Sequence, residues 1–471
     1  MVLKGIDVLM MVLLLVASVF IGIYSFKKVT NNKDFNIANR SLGLIVSFAT
    51  ISATMTGGTT VLAQAGMAYN LGVSSLWMTI SWSIGWSVLA LMSQKVHNTG
   101  ADSLPNIFER RFGPDTAKLS GLVTMVYVVG TTAAQLAATG KLIQLVFGNT
   151  LTFTQATIIG AVIITVITVL GGLYAVAYND TLHFFILALA LGIFVPIITI
   201  NNLEGGFNAI KATLEPEFFN IMNGMSFSAA LAMTLAYAFS ATSNASLIQR
   251  TLAAKDAKTA SRSHWYAMIW YFIVSGTILV SVLAGKILIP DLGSPETIVA
   301  ALVVKYFPVG LVGLTMAALL AVVISTADSY LLIAGTTTAN DVIAIFKSDL
   351  TDKQRLVISR IATFVWGGLA LLFAVKFKMV LFLFSKTAAL YAAGMFFPLI
   401  FTIYVKKATK KGIMAGMLSG MIVSLVWLIL GSPFGLNSIL IGGPVSGIAT
   451  YFVSMSTFKE NGENKLSNDA V

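Results

Sequence analysis

A chain of 471 residues with 57% hydrophobic and only 10% charged side chains lies far below the roughly 25% charged content of soluble domains, which excludes a soluble globular protein. The net charge of +11 opens a nucleic-acid reading that the placement of the charges must decide, and the absence of cysteine excludes a disulfide framework and a thiolate metal site. What remains is a single membrane domain built from spanning helices, with no soluble domain beside it.

Apolar stretches long enough to cross a bilayer are predicted at 5–26, 41–68, 72–93, 119–147, 152–176, 178–200, 226–248, 264–289, 308–339, 357–375, 380–404, 412–431 and 436–455, about thirteen in all. The first is too long for a cleavable signal and is followed by Lys27 and Lys28 as a stop, so it is expected to stay in the membrane. The second, FATISATMTGGTTVLAQAGMAY, joins Gly57 and Gly58 to β-branched hydroxyl residues. Unwound backbone is tolerated in a membrane only where protein encloses it, and in transporters such breaks turn free carbonyls toward a cation. The seventh span carries a similar small, polar patch from Ser240 to Ser246. Two interrupted helices, each opening a set of five spans, predict an inverted repeat of 41–200 and 226–404. One helix (5–26) precedes it, two (412–455) follow, and 456–471 forms a polar tail. In the ninth span, AVVISTADSYLL (321–332) places Ser325, Asp328 and Ser329 at i, i+3 and i+4, one oxygen-bearing face in an apolar helix.

The basic residues alternate with the spans. Lys27, Lys33, Arg40, Arg110, Arg111, Arg250, Lys255, Arg262, Lys347, Arg355, Lys406 and Lys411 fall on one side, and Glu204, Glu215, Glu217, Asp291 and Glu296 on the other. The positive-inside rule makes the basic side cytoplasmic, with the N-terminus outside and the C-terminus inside. Topology accounts for the charge, so nucleic acid is not expected as a partner. Three connecting segments exceed a tight turn: 94–118 and 249–263 on the cytoplasmic side, and 201–225 outside, where a short helix is expected.

The runs SLPNIFERRFG (103–113), GGLYAVAYNDTLHFFIL (171–187), QRTLAAKDAKTA and STADSYLL together resemble the sodium/solute symporter family over nearly the whole chain. That resemblance implies an all-α, leucine-transporter-like fold of five plus five inverted helices, sodium as the coupling ion, and uptake of a small organic solute by alternating access. It also implies a multi-pass cell-membrane protein whose functional unit is the monomer in the lipid bilayer. Carried over motif by motif, the main sodium site falls on carbonyls of Ala53, Thr56 and Val322 with the hydroxyls of Ser325 and Thr326, and a second site on Asp180, Ser325, Asp328 and Ser329. Neutral and anionic oxygens suit a hard cation. Equally, membrane Ser and Thr residues often bond back to carbonyls of their own helix, and two facing carboxylates can share a proton instead of a cation. A proton-coupled carrier of the same fold therefore stays open as the alternative.

Solute contacts are expected beside the broken helix at Met55, Gly57 and Thr60, with Ser75, Thr79, Gln135, Asn244 and Lys386 as further candidates. An ammonium such as Lys386 would hold a carboxylate as a point charge, so an amino acid, organic acid or sialic acid is preferred over a sugar. Trp77, Trp82 and Trp86 suit a sugar wall or an interface anchor. Lys141 is expected to snorkel outward, and His183 to pack against a neighbouring helix. An enzyme is not expected, because the three histidines form no H-E-x-x-H and there is neither a phosphate loop nor a cysteine nucleophile.

Overall fold

A computed structural model describes residues 4–147, 150–343, 350–378 and 380–458, without the side chains of residues 15, 59, 60, 170, 171 and 380–383. Most of the predicted tail and Lys347 lie outside the described residues, as does the side chain of Thr60. Among the described residues the chain is helical throughout, with one isolated parallel bridge between Leu42 and Ala254. Ten stretches among the described residues are long and apolar enough to cross a membrane, and Leu44–Met55 and Phe153–Val169 are shorter apolar helices.

The helices in chain order are α1 (Gly5–Phe26), α2 (Asn32–Ile37), α3 (Leu44–Met55), α4 (Ala65–Leu71), α5 (Leu76–Asn98), α6 (Leu104–Phe112), α7 (Pro114–Val146), α8 (Phe153–Leu189), α9 (Val195–Asn201) and α10 (Gly206–Thr213). They continue as α11 (Phe227–Thr242), α12 (Ala245–Ala253), α13 (Ala257–Leu288), α14 (Ile298–Tyr306), α15 (Leu311–Thr337), α16 (Asp352–Phe377), α17 (Val380–Tyr404), α18 (Lys410–Ile429) and α19 (Ile439–Thr457). Thr59–Gln64 runs between α3 and α4 as a wider turn, a feature that often sits at functional sites.

Burial sorts these helices. In α7 and α15, 89% of the most apolar window is buried, against 24% in α1, so α7 and α15 form the centre while α1 lies at the rim against α8 and α15. Helix α8 turns sharply at Gly172, whose φ of +57° is a left-handed conformation that glycine adopts without strain. The expected boundary between the spans 152–176 and 178–200 therefore falls a few residues earlier.

Several connecting segments are more ordered than expected. Segment 94–118 contains α6, which starts at Ser103, whose hydroxyl accepts from the N–H of Asn106. The expected helix in 201–225 is α10. The segment 249–263, read as a cytoplasmic loop, is mostly helix: α12 runs to Ala253, and Asp256 caps the start of α13 through the Thr259 N–H. That correction carries Arg250 out of solvent and into the protein interior.

Candidate functional site

The break after α3 replaces one helical hydrogen bond with two bonds to side chains. In a continuous helix the Gly58 N–H would bond the Thr54 carbonyl. Here it donates to Gln135 Oε1 of α7 at 2.8 Å, and the Thr54 carbonyl accepts Thr326 Oγ1 of α15 at 3.0 Å. Glycine is required at both positions. A Cβ on Gly57 would lie 2.4 Å from Thr326 Oγ1, and one on Gly58 2.7 Å from Gln135 Oε1. Thr326 and Ser325 also donate to the Val322 carbonyl, at 3.0 and 3.1 Å. The oxygens of Thr54, Val322, Ser325 and Thr326 thus meet where α3 ends against α15, and Ala53 and Thr56 flank Thr54 on the same stretch. Thr56 Oγ1 bonds back to the Ser52 carbonyl at 2.7 Å and accepts from Trp270.

One turn further along α15 the side chains face a different partner. Arg250 of α12 is fully buried and its guanidinium makes five bonds: Nε–H to Thr50 Oγ1 (2.9 Å), Nη1 to the Ser246 hydroxyl (2.6 Å) and carbonyl (3.3 Å), and Nη2 to Asp180 Oδ2 (3.0 Å) and Ser329 Oγ (2.7 Å). Thr50 Oγ1 also donates to Asp180 Oδ2 at 2.5 Å. Ser329 in turn donates to the Ser325 carbonyl at 2.7 Å and approaches Asp328 Oδ1 at 3.4 Å. Of the expected second sodium group of Asp180, Ser325, Asp328 and Ser329, Asp180 and Ser329 are therefore bonded by a cation that belongs to the protein. Sequence reading counted Arg250 among the cytoplasmic basic residues and missed this role.

The second break, at Ser243-Asn244, is held by tyrosines. Asn244 Oδ1 caps α12 by accepting from the N–H groups of Ser246 and Leu247, and its Nδ2 donates to Tyr127 and Tyr330 at 3.2 and 2.9 Å. Tyr391 donates to the Ser243 carbonyl and stacks on Tyr127 at 4.5 Å. Asn244 thus serves as the cap of α12 and links it to the two tyrosines. Nearby, Trp86 donates to His264 Nδ1 at 2.9 Å, and His264 Nε2 bonds Thr251 at 2.7 Å.

Between the two breaks lies a cavity of about 10 Å³, walled by Met55, Trp82, Trp86, Tyr271, Tyr330 and Phe384, with Thr54, Thr131, Gln135 and Thr326 as its polar residues. None of its lining side chains is charged. Gln135 Nε2 and Thr131 Oγ1 are buried without a partner. Of the expected solute contacts, Met55 and Gln135 line this cavity and Gly57 sits against Thr326. Ser75, Thr79, Asn244 and Lys386 are not among the cavity's lining residues. Ser75 is buried beside the 201–225 segment, Thr79 is taken by Gln64 Nε2 at 2.8 Å, and Lys386 lines a separate pocket with Ser226, Tyr237 and Asn437. That pocket is built from the N-terminal half of α11, from α17 and from the turn between α18 and α19.

Other residues also find partners that a single sequence does not show. Lys141 forms an ion pair with Glu296 from the segment before α14, so it is not free in solvent. Trp77 donates to the Ile221 carbonyl at 2.9 Å, whereas Trp82 stacks against both Tyr237 and Phe384, which also touch each other. His183 bonds Ser18 of α1 at 3.0 Å.

Comparison with known proteins agrees with this architecture. Residues 35–420 match the sodium:solute symporter family. Sodium/proline symporters of Staphylococcus aureus strains are 27% identical over 470 residues, covering 94% of this chain and 91% of theirs. Among solved structures, a Na+-coupled sialic acid symporter superposes with a TM-score of 0.82 at 18% identity, covering 96% of this chain and 98% of that one. Mhp1, a nucleobase-cation-symport-1 family transporter, gives 0.57 at 15% identity, covering 94% and 97%. MhsT in complex with L-phenylalanine gives 0.55 at 13%, covering 88% and 98%. These three share the fold, and the extent of the family match shows that the chain is a transporter, not an enzyme, and belongs to the sodium:solute symporter family.

Proposed function

We propose that the chain is a sodium-coupled symporter of the cell membrane that imports a small carboxylate solute of the amino-acid class by alternating access, with one sodium per turnover. The carrying observation is the junction of α3 and α15, where the freed Thr54 carbonyl meets the Ser325-Thr326 pair. Sodium held there by neutral oxygens ties the broken helix to α15. By reciprocity the solute raises sodium affinity by the same factor that sodium raises solute affinity. A membrane potential of 100 mV then contributes about 2.3 kcal/mol per charge moved. The reading carries with it about thirteen spans, two inverted sets of five, an outer N-terminus and an inner C-terminus.

One sodium, not two, is supported by Arg250. A guanidinium bonded to Asp180 and Ser329 supplies the positive charge that a second ion would bring. The same neutralisation weakens the proton-coupled alternative, in which Asp180 and Asp328 would share a proton.

The solute class rests on the cavity. Its aromatic walls suit an apolar body, and with no charged side chain lining it, a carboxylate must be met by dipoles. The Gly58 N–H is occupied by Gln135 Oε1, an acceptor that a carboxylate can replace, while Gln135 Nε2 and Thr131 Oγ1 stand unpartnered as donors. Three of the similar proteins are named for carboxylates, namely proline, sialic acid and, as a bound ligand, L-phenylalanine, whereas Mhp1 holds a hydantoin.

Uptake into proteoliposomes tests both parts. Under a sodium gradient, labelled amino acids and organic acids should accumulate and sugars should not, with a Hill slope for sodium of about one. Replacing sodium by choline, or Thr326 by alanine, should abolish accumulation. Uptake driven equally well in choline by a pH gradient would reject sodium coupling, and a slope near two would reject the single ion.

A further inference from the structure

A cavity of about 510 Å³ lies behind α1, enclosed by α1, α7, α8 and α15. It shares no lining residue with the central cavity. Its walls are hydrocarbon, including Met11, Ile143, Ile163, Leu320 and Ile324, and its volume falls within the range of small-molecule pockets. At its mouth Val8, Val12, Phe147 and Ile159 are 41–55% exposed on the half of the bundle read as external.

Its floor is polar. Ser18, Asn179, His183 and Asp328 line it, each no more than 4% exposed. Ser18 bonds His183 Nε2 at 3.0 Å, and its carbonyl accepts Asn179 Nδ2 at 3.2 Å. These bonds leave Asn179 Oδ1 and His183 Nδ1 buried without partners. Unpaired polar atoms beneath an apolar chamber are costly, and packing alone would favour aliphatic residues there. Among the described residues, no lysine or arginine lines the cavity.

We propose that this chamber is a second ligand site, distinct from the solute path, for an amphipathic primary amine. Its ammonium head sits on the floor and its hydrocarbon tail fills the walls. The complementarity is specific. An ammonium has three N–H donors, and the floor offers three acceptors in the Asp328 carboxylate, Asn179 Oδ1 and His183 Nδ1. The imidazole accepts at Nδ1 when its proton is on Nε2 and is donated to Ser18 Oγ. A carboxylate or phosphate head is repelled by Asp328, and an alcohol supplies one donor in place of three.

The test is thermal unfolding of the protein in nanodiscs titrated with decylamine, using decanol and decanoate as controls of matched tail. Decylamine should raise the unfolding temperature saturably, and the controls should not. Ile163→Trp fills the chamber from the α8 wall, on a helix that supplies none of the oxygens of the α3–α15 junction, and should remove the shift while sodium-dependent stabilisation persists. Asp328→Asn should weaken decylamine binding about tenfold or more. No shift with decylamine, an equal shift with decanol, or a shift that survives Ile163→Trp would each overturn the proposal, whether or not Asp328→Asn folds.

Discussion

Replacing Arg250 by methionine keeps most of the side-chain volume and removes the guanidinium. The residue and its partner Asp180 are both fully buried, so the change strands a carboxylate whose Oδ1 already has no partner. Breaking one side of a buried pair costs about 3–5 kcal/mol, and Asp180→Leu should cost a similar amount by leaving the guanidinium uncompensated. The double variant leaves neither charge. Its loss should be mainly the bonds to Thr50, Ser246 and Ser329, at about 1 kcal/mol each or less, well below the sum of the two single losses. Equilibrium unfolding in mixed micelles for the four proteins of the cycle gives the coupling energy, expected at 2 kcal/mol or more in the range known for coupled neighbours, ~0.5–3 kcal/mol. Arg250→Lys should fall between, since an ammonium keeps the charge but not the planar fork. Single losses that add to within about 0.5 kcal/mol would show that the pair is not coupled, and the account of a protein-supplied cation at Asp180 would fail with it.

Gly57→Ala places a Cβ 2.4 Å from Thr326 Oγ1 and should raise the half-saturating sodium concentration for uptake by about tenfold, or ~1.4 kcal/mol; an unchanged value would mean that the α3–α15 junction does not hold the ion. Gly85→Ala drives a Cβ to 1.9 Å from the Ala238 carbonyl, where α5 and α11 touch backbone to backbone. Overpacking of that kind costs about 1–3 kcal/mol, measurable as a lower unfolding midpoint. The N–H of Thr259 holds the Asp256 carboxyl below its ordinary 3.8. Because the folded value is depressed, the cap's contribution is present above 3.8 and disappears as pH falls through the lower folded value. The gap in unfolding midpoint between Asp256→Ala and the parent should accordingly close at acid pH, and a gap that persists there would contradict the cap.

Residue type and local spacing revealed the parts of the site that lie within one helix. Gly57-Gly58 between hydroxyl residues marked the break, and Ser325, Asp328 and Ser329 marked the oxygen-bearing face, because each signal sits within a few positions of one helix, whereas the pairing of Ser325 with Thr326 came with the family resemblance. Arg250 was not legible, since its bonds reach Asp180, Ser329 and Thr50, which are 70, 79 and 200 residues away, and a count of basic residues treats a buried arginine as a loop arginine. The partner of Lys141 was not legible for the same reason, Glu296 lying 155 residues on. Asn244 differs, because an asparagine immediately before Ala-Ser-Leu-Ile-Gln is a helix-start signal that could have marked it as a cap.

The volume of the central cavity has a consequence for any affinity measured on this protein. About 10 Å³ is room for roughly one water molecule, so a molecule the size of an amino acid can enter only a more open form. Where that form is a minority, the observed dissociation constant equals the intrinsic one divided by the fraction that is open. Weakening a contact that holds the closed form would then tighten apparent binding without adding a single new contact to the solute. Ranking solutes by observed affinity alone would mix recognition with the readiness of the protein to open.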